Sequence, residues 1–374
     1  MNYHSTSFGN GLTVTADVVR PAELDPSLLS AWQQLRAGRS CYSSPFYDPA
    51  FTLAVGAVRK DARVAIFTAG GEVVGFLPFH RVGRAIAKPI GGHINDYQGA
   101  ILRRDIDHSD PALLSAAAIA AYDFNHLPAE FAARSATVRG GGTSPVMDLA
   151  GGYAAYLASR GKDFHKRQAP QRRKLRKLER EFGTTTFVFD SMDQAHLSAH
   201  TRMRNELYLS MGMKAQFAKG WQGEVFAELR RAKAETLRTT LSVLCAGGEP
   251  VAAHFGMISL GVLHWWFPAY DARASRCSPG LSLLEACAEQ AQAEEVFAID
   301  FGRGDEAYKK HYATREVQLL AGSFTRPATL ASAVRTVGQR ALDPLERRLP
   351  KSLNSYPRRI ADRLVTGVGI PRFG

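Results

Sequence analysis

The chain has 374 residues, of which 45% are hydrophobic and 22% are charged. This composition is typical of a globular protein and excludes a disordered or fibrous one. At roughly 100–200 residues per domain, the length favours about two domains. The formal net charge of +12 favours polyanionic partners in general. Nucleic acid, anionic lipid and phosphorylated small molecules all remain open on that ground.

The sequence contains no recognisable export or metal-binding signal. Residues 1–12 read MNYHSTSFGNGL, without the basic and apolar regions of a secretory signal. No run of about 18 apolar residues predicts a membrane-spanning helix. The four cysteines (Cys41, Cys245, Cys277, Cys287) form no CxxC pair and no zinc spacing. Scattered thiols are typical of a reducing compartment, so we expect a cytoplasmic protein that uses no metal.

The N-terminal half and the C-terminal half contain a repeated pattern. Residues 63–80 read RVAIFTAGGEVVGFLPFH, and residues 241–258 read LSVLCAGGEPVAAHFGMI. Each copy places Ala-Gly-Gly-Glu between two apolar runs, which predicts a hairpin with a tight Gly-Gly turn. Each is followed by a further strand, a loop and a helix, over about 110–123 in the first copy and 281–293 in the second. We therefore predict an internal duplication.

A basic segment separates the two copies. Residues 160–181 contain ten Lys or Arg against three Asp or Glu, and Leu175, Leu178 and Phe182 follow at helical spacing. From Pro170 onward this pattern predicts an amphipathic helix. Its charged face is either simply solvated or directed at phosphate groups beside a cleft. The tail from about residue 328 is also basic, and it is either a docked helical appendage or a contact with an anionic membrane surface.

The segment 250–312 is the most informative part for chemistry. It predicts strands over 251–258, 262–270 and 296–301 and a helix over 281–293. Ser278 and Pro279 are typical of a helix start, and a helix N-terminus after a strand suits a pyrophosphate. Asp300, Arg303, Asp305, Tyr308 and Lys309 then form a polar cluster just past the last strand.

These residues carry a family resemblance. The segment resembles the core of GNAT acyltransferases, in which a central strand splays from its neighbour to admit the pantetheine arm of CoA. The run DFGRGDEAYK at 300–309, with SPG at 278–280 and GGHINDY at 91–97, resembles the CelD-like family of exopolysaccharide and cellulose biosynthesis clusters. Those proteins are predicted acetyltransferases with a duplicated GNAT fold, and they are similar to the Fem-type aminoacyl transferases.

The resemblance covers most of residues 20–325 and implies an α/β (α+β) fold. We expect two tandem GNAT-like domains, each with a mixed, mostly antiparallel sheet flanked by helices. The expected boundaries are 1–150 for the first half, 151–182 for the basic linker, 183–327 for the second half and 328–374 for the tail. The second half is expected to bind acyl-CoA.

The implied activity is acyl transfer from acetyl-CoA or another acyl-CoA by direct attack, without a covalent enzyme intermediate. The usual GNAT loop, Q/R-x-x-G-x-G/A, would begin here at Arg276, but Pro279 and Leu281 replace its two glycines. A longer acyl thioester therefore remains open as donor. The implied acceptor is a sugar, a nucleotide sugar or a lipid-linked precursor, with the protein cytoplasmic or peripheral to the inner membrane.

Acyl transfer of this kind needs a base, a group that polarises the thioester and an acid for the departing thiolate. We expect catalytic roles for His254, Asp300 and Tyr308, with a buried structural histidine as the alternative for His254. The remaining candidates divide between the two substrates. For the donor they are Arg276, Ser278, Gly280 and Leu281; for the acceptor they are Asp96, Tyr97, Trp266, Arg303, Asp305 and Lys309.

Strand alternation sends Trp265 and Phe267 to one face of the sheet and His264 and Trp266 to the other. One face is expected to be core, and the second is either core as well or a surface that stacks on a sugar ring. His196 and His200 are spaced i, i+4 without a third ligand, which disfavours a metal site.

Two other functional classes stay open. A Fem-type transferase would take an aminoacyl group from tRNA, and its tRNA binding would depend strongly on salt. The basic segment is short for the helical arm of that family, so we do not expect nucleic acid as a partner. A non-catalytic module would instead bind anionic polymer or membrane through the basic helix and tail.

Overall fold

The computed structural model describes residues 6–8, 11–83, 85–132, 136–232 and 234–326. The basic tail expected over 328–374, with its proposed membrane contact, lies outside the described residues.

The described residues form fourteen strands and nine α-helices. The strands are β1 Thr6–Ser7, β2 Thr13–Val19, β3 Ala62–Ala69, β4 Glu72–Val82, β5 Ile86–Pro89, β6 Ile101–Leu102, β7 Ala121–Pro128, β8 Thr137–Asp148, β9 Thr185–Val188, β10 Arg238–Ala246, β11 Glu249–Ser259, β12 Val262–Tyr270, β13 Ala298–Asp300 and β14 Arg315–Thr325. The helices are α1 Pro26–Arg36, α2 Pro49–Val58, α3 Pro111–Ala116, α4 Gly152–Ser159, α5 Lys162–Phe182, α6 Gln194–Ser210, α7 Gly220–Arg231, α8 Pro279–Gln290 and α9 Ala307–Tyr312.

The chain divides into two compact units. Of the described residues, the first comprises those within Met1–Gly38, Arg59–Gly141 and 319–326, and the second comprises those within Arg39–Val58 and Gly142–Gln318. Residues 39–58 thus belong to the second unit, although the sequence-based boundaries assign them to the first half. The boundary between Gly141 and Gly142 lies inside β8, and the boundary between Gln318 and Leu319 lies inside β14.

Residues 39–58 are attached to the second unit by a buried acid and by aromatic packing. The fully buried carboxylate of Asp48 accepts hydrogen bonds from the hydroxyls of Ser259 (3.0 Å) and Thr236 (3.2 Å). The ring of Phe46 packs edge-on against His264 at 4.9 Å and Trp266 at 5.3 Å. A buried carboxylate is costly unless hydrogen-bonded, so these partners explain why Asp48 is tolerated there.

In the first unit the strand order is β1-β2-β3-β4-β5-β7-β14, with β6 paired to β4. The described strand pairs of this unit are antiparallel except β5 with β7, which run parallel through Ile86–Ala121 and Ala87–Tyr122. In the second unit the order is β8-β13-β12-β11-β10-β9. Here β12 and β13 form the parallel pair, and the other described pairs are antiparallel. A parallel pair requires a crossover connection, which α3 and α8 supply in the two units.

Helices cover both faces of the second sheet because its strands are apolar on both sides. Along β10, Leu244 and Ala246 belong to the core shared with α5 and α8, whereas Leu241, Val243 and Cys245 pack with Met203 of α6. This is the two-residue alternation of a strand buried on both faces.

The predicted duplication is visible in the strand register. Ala69 pairs with Glu72 and Ala246 pairs with Glu249, so both hairpins close through two glycines with positive φ. That geometry is typical of a type I′ turn. Both hairpins also carry a bulge one residue before this closing pair, at Phe67/Thr68 and at Leu244/Cys245. A bulge repeated at the same position of both hairpins is strong evidence for the internal duplication.

One predicted helix is wrong over half its length. The Ala-rich segment expected to be helical over 110–123 forms α3 only to Ala116, and residues from Ala121 form strand β7. Ala118 has φ of +54°, which ends the helix. Ala121 and Tyr122 are buried between β5 and β14, so sheet pairing outweighs the helix propensity of alanine.

None of the described helices is long and apolar enough to cross a bilayer.

Candidate active site

Strands β12 and β13 diverge in the second unit. They pair in parallel only through Val262–Ala298, Leu263–Ile299 and His264–Asp300. Strand β13 ends at Asp300, whereas β12 continues for six more residues to Tyr270. The edge of β12 beyond His264 therefore lacks β13 as a partner, and the sheet opens at Asp300.

A buried polar cluster marks the start of this opening. Asp300 is 4% exposed and accepts hydrogen bonds from the Ser144 hydroxyl (2.5 Å) and the Gly302 amide (2.9 Å). The Nδ1 atom of His264 lies 3.7 Å from the same carboxylate oxygen. Charge-assisted bonds of this kind hold a carboxylate in one orientation. Sequence analysis missed Ser144, because it is 156 residues from Asp300 in the chain and no local motif marks it.

The loop after β13 is closed by Lys309. Its ammonium group, on a residue only 7% exposed, contacts the carbonyl oxygens of Gly302 (3.5 Å) and Arg303 (3.4 Å) and the carboxylate of Glu306 (3.1 Å). A Cβ on Gly304 would lie 2.5 Å from that Nζ atom, so the glycine at this position leaves room for the ammonium group. This geometry favours a loop-positioning role for Lys309 over the substrate contact expected from the sequence.

The other two acceptor candidates of this loop lie at the surface. Arg303 is exposed, and its side chain lies over Gly142, where an added Cβ would be 2.6 Å from Nε. Asp305 is fully exposed, 3.8 Å from Lys310.

Tyr308 lies at the opening itself. Its side chain is hydrogen-bonded to Trp265, the first β12 residue beyond the last β13 pair, and its ring packs edge-on against Phe301 at 6.0 Å. Burial raises the pKa of Tyr308 well above its usual range. The phenol is therefore protonated at neutral pH and can act as a hydrogen-bond donor.

His254 has a structural environment. It is fully buried, its ring stacks on Trp265 at 3.8 Å, and its Nε2 accepts a hydrogen bond from the Trp266 amide (3.1 Å). Burial lowers the pKa of His254 well below its usual value, so the ring is neutral. Since Nε2 accepts, the proton is assigned to Nδ1.

The Trp266 amide needs this partner because the β11–β12 ladder is interrupted. Phe255 pairs with Phe267 but Met257 pairs with His264, which leaves an extra residue on β12 at a bulge. A Cβ on Gly256 would lie 2.3 Å from the His254 ring, so the glycine makes room for the imidazole. The geometry favours the structural alternative for His254 over the general-base role.

The same bulge breaks the strand alternation expected at the aromatic strand. Trp266 and Phe267 both contact Phe226, at 5.2 Å and 5.1 Å, although strict alternation would separate them. Trp266 is only 7% exposed. Its packing places it in the core rather than on a sugar-stacking surface.

The expected donor site lies at the start of α8. Ser278 is the N-cap residue with φ of +49°, but its side chain makes no capping bond. Its hydroxyl instead accepts from Lys174 of α5 (2.9 Å), and its carbonyl accepts from Gln171 (3.2 Å). The basic helix predicted from the sequence therefore packs directly beside the start of α8.

The first turn of α8 has few amides left for an anion. Pro279 has no N–H, and the amides of Leu281 and Ser282 already bond to the Ser278 carbonyl at 3.0 and 3.4 Å. Among these first-turn residues, the Gly280 amide is therefore the donor left for an anion, and the Lys174 ammonium lies beside it. A pyrophosphate fits here through one amide and one cation, and not through the several amides of a glycine-rich loop. Arg276 is exposed in the preceding 3₁₀ helix, Ala272–Cys277.

Asp96 and Tyr97 lie in the first unit, in the loop between β5 and β6. Asp96 is 3.8 Å from His126, and Tyr97 is 5% exposed with its amide bonded to Asn95 Oδ1 (2.8 Å). Gln98 braces the same loop by accepting from the Asn125 amide (2.8 Å). The loop is thus held by hydrogen bonds and is largely buried within its unit.

Within the described residues, no three His, Cys, Asp or Glu side chains are grouped as metal ligands. His196 bonds to Ser191 (2.7 Å) and His200 donates to the Phe267 carbonyl (2.7 Å).

Comparisons with known proteins concern the fold and the enzyme class. Residues 165–310 match the family model of the acetyltransferase (GNAT) domain. No curated protein matches the chain. The solved structures that are similar to it include the following three. FemX has 11% sequence identity and a TM-score of 0.54, and the match covers 86% of this chain and 99% of FemX. The C-terminal domain (DUF2156) of a putative lysylphosphatidylglycerol synthetase from Agrobacterium fabrum has 12% sequence identity and a TM-score of 0.50, and the match covers 84% of this chain and 96% of that domain. A tandem GNAT protein from the clavulanic acid biosynthesis pathway has 11% sequence identity and a TM-score of 0.46, and the match covers 84% of this chain and 99% of that protein.

At these identities the two likenesses with TM-scores of 0.54 and 0.50 show the fold alone. The fold is α/β with GNAT-like architecture, as expected from the sequence, and the domain match makes the chain an acyltransferase.

Proposed function

We propose that the protein transfers an acyl group from acyl-CoA to an amine or hydroxyl of a sugar, a nucleotide sugar or a lipid-linked precursor. The observation that carries the proposal is the opening between β12 and β13 at Asp300, with Tyr308 beside it. The acyl group would lie along the unpartnered edge of β12. The sugar-type acceptor rests on the resemblance to the CelD-like family.

In this proposal the phosphate end of the donor lies at the start of α8. The Gly280 amide and Lys174 supply the contacts, and the exposed basic residues of α5 supply a favourable potential. A single backbone amide binds phosphate weakly, so we assign most of the phosphate recognition to Lys174.

Asp300 and His264 are proposed to take the proton of the attacking group. Their 3.7 Å separation is longer than a hydrogen bond, but catalytic contacts often tighten only when substrate is bound. Ser144 and the Gly302 amide would hold the carboxylate in position meanwhile.

Tyr308 is proposed to donate a hydrogen bond to the departing sulfur. A thiol has a pKa of about 8.5, and tyrosine has one of about 10 before burial raises it further. Full proton transfer from Tyr308 to the thiolate would therefore be uphill. A hydrogen bond still stabilises the developing negative charge, and solvent completes the protonation.

The test is the thermal stability of the purified protein with acetyl-CoA and with longer acyl-CoAs. A ligand that binds only the folded state stabilises it by about 2.7 kcal/mol at 100 times its dissociation constant. Lys174→Met should weaken the shift, because it removes the cation at Ser278. Lys177→Met is the matched control, since Lys177 lies one turn further along α5 and faces Glu181 at 3.8 Å. A folded protein that shows no shift with any CoA species would contradict the proposal.

A Fem-type donor, aminoacyl-tRNA, is the second candidate. It is favoured by the short supply of amides at the start of α8 and by the exposed basic face of the 21-residue α5. It predicts tRNA binding whose affinity falls steeply with salt, together with no stabilisation by acyl-CoA.

A further inference from the structure

Three large apolar side chains are exposed together where α6 ends. Leu209, Met211 and Met213 are 59%, 61% and 47% exposed within five consecutive residues. Single exposed apolar residues are ordinary on a protein surface, but a local group of them indicates a contact with another molecule.

The connection between α6 and α7 is held in place rather than loosely attached. Phe217 is 5% exposed and inserts its ring among His200, Phe226 and Phe267, at centroid distances of 5.2, 5.5 and 5.1 Å. Its amide donates to Asn205 Oδ1 (2.9 Å). Phe217 thus anchors the chain that follows the three exposed side chains.

The charged residues in this stretch of the chain have one sign. Residues 207–223 contain no Asp or Glu, and Lys214 and Lys219 are exposed beside the apolar group. The preceding acid, Glu206, lies 3.5 Å from Arg202 and is thereby compensated. An apolar group edged by lysines complements an anionic membrane, where acyl chains lie beneath phosphate headgroups.

We propose that the segment 209–219 docks on an anionic phospholipid bilayer. Leu209, Met211 and Met213 enter the boundary between headgroups and acyl chains, and the two lysines contact lipid phosphates. Three side chains cannot supply the roughly 800 Å² per partner of a stable protein interface, which favours a membrane over a second protein. The proposal does not depend on the acyl donor or on the acceptor.

The test is flotation of the full chain with vesicles of phosphatidylcholine containing about one third phosphatidylglycerol, compared with phosphatidylcholine alone. Binding is expected only to the anionic vesicles. The triple variant Leu209→Ser, Met211→Ser, Met213→Ser should bind about tenfold more weakly, because insertion scales with apolar area. Lys214→Gln and Lys219→Gln should each weaken binding by about fivefold, which corresponds to about 1 kcal/mol per charge.

Met192→Ser is the matched control. Met192 is 80% exposed but precedes α6, so the length of that helix, about 25 Å at 1.5 Å per residue, separates it from the proposed contact. It should bind vesicles as the unmodified chain does. Thermal unfolding of the triple variant should be unchanged, because the replaced side chains are exposed.

Three results would overturn the proposal. The first is vesicle binding that survives the triple substitution, which would assign it to another surface such as the basic tail. The second is an absence of binding to anionic vesicles by the unmodified chain. The third is a dimer, measured by light scattering, that the triple substitution dissociates, which would assign the segment to a protein partner.

Discussion

Replacement of His254 distinguishes a structural histidine from a catalytic base. His254→Phe keeps an aromatic ring over Trp265 but removes the acceptor for the Trp266 amide, which is bonded at 3.1 Å in a fully buried position. A buried amide left without a partner costs about 1–3 kcal/mol. For a unit of about 200 residues, 1 kcal/mol corresponds to about 2–4 °C in Tm. The expected decrease is therefore roughly 2–12 °C.

Two further variants sharpen the test. His254→Gln retains a side-chain acceptor and should recover part of the stability lost in His254→Phe. His254→Ala also loses the stacked ring contact at 3.8 Å and should cost a further ~0.5–1.5 kcal/mol. The measurements are urea unfolding at neutral pH and, in parallel, release of CoA from an acyl-CoA. The structural assignment is refuted if His254→Phe unfolds like the unmodified protein while CoA release is abolished.

Gly256→Ala should destabilise the protein by about 1–3 kcal/mol, because its Cβ would lie 2.7 Å from the backbone carbonyl oxygen of His264. Gly280→Ala, whose Cβ would meet Tyr270 at 3.6 Å, is the control for urea unfolding and should be near neutral. Burial lowers the pKa of His200 to about 4, so between about pH 6.5 and 4 the unfolded chain binds a proton that the folded chain does not. Stability should fall by about 3 kcal/mol as the pH decreases through this window, and unfolding curves of His200→Gln should show a shallower dependence. Asp300→Asn should reduce turnover by about 10²-fold or more while Asp305→Asn leaves it unchanged, and equal rates for the two variants would remove Asp300 from the proposed mechanism.

Much of the second half of the chain could be predicted from local patterns. The Gly-Gly turns, the apolar runs beside them and the basic amphipathic helix each depend on residues close in sequence. The turns lie where expected, and the helix predicted from Pro170 onward is present but begins earlier, at Lys162. Strand β12 was predicted with its observed bounds, and α8 within three residues at each end. The duplication followed from the same signals, because a repeated turn needs the same residue types in both copies.

The errors arose where non-local pairing decides the structure. The alanines beyond Ala116 predict a helix, but Ala121 and Tyr122 belong to β7, which pairs with β5 on one side and β14 on the other. Alternation failed at Trp266 because one extra residue on β12 forms a bulge, and no sequence pattern marks which strand of a pair is longer there. The role of His254 changed for the same reason, since its partner is an amide that the bulge leaves without a ladder bond.

What the sequence alone determined is the class of the protein: an α/β chain with a duplicated hairpin, a basic helix and a polar cluster after a strand. These features depend on periodicity, turn chemistry and charge, which are properties of neighbouring residues. Only the tertiary structure brought Ser144 to Asp300, closed the loop after β13 with Lys309 and placed residues 39–58 in the second unit. Such contacts join residues that are distant in the chain, and the selection of one partner among many depends on burial and shape that form only when the sheet assembles.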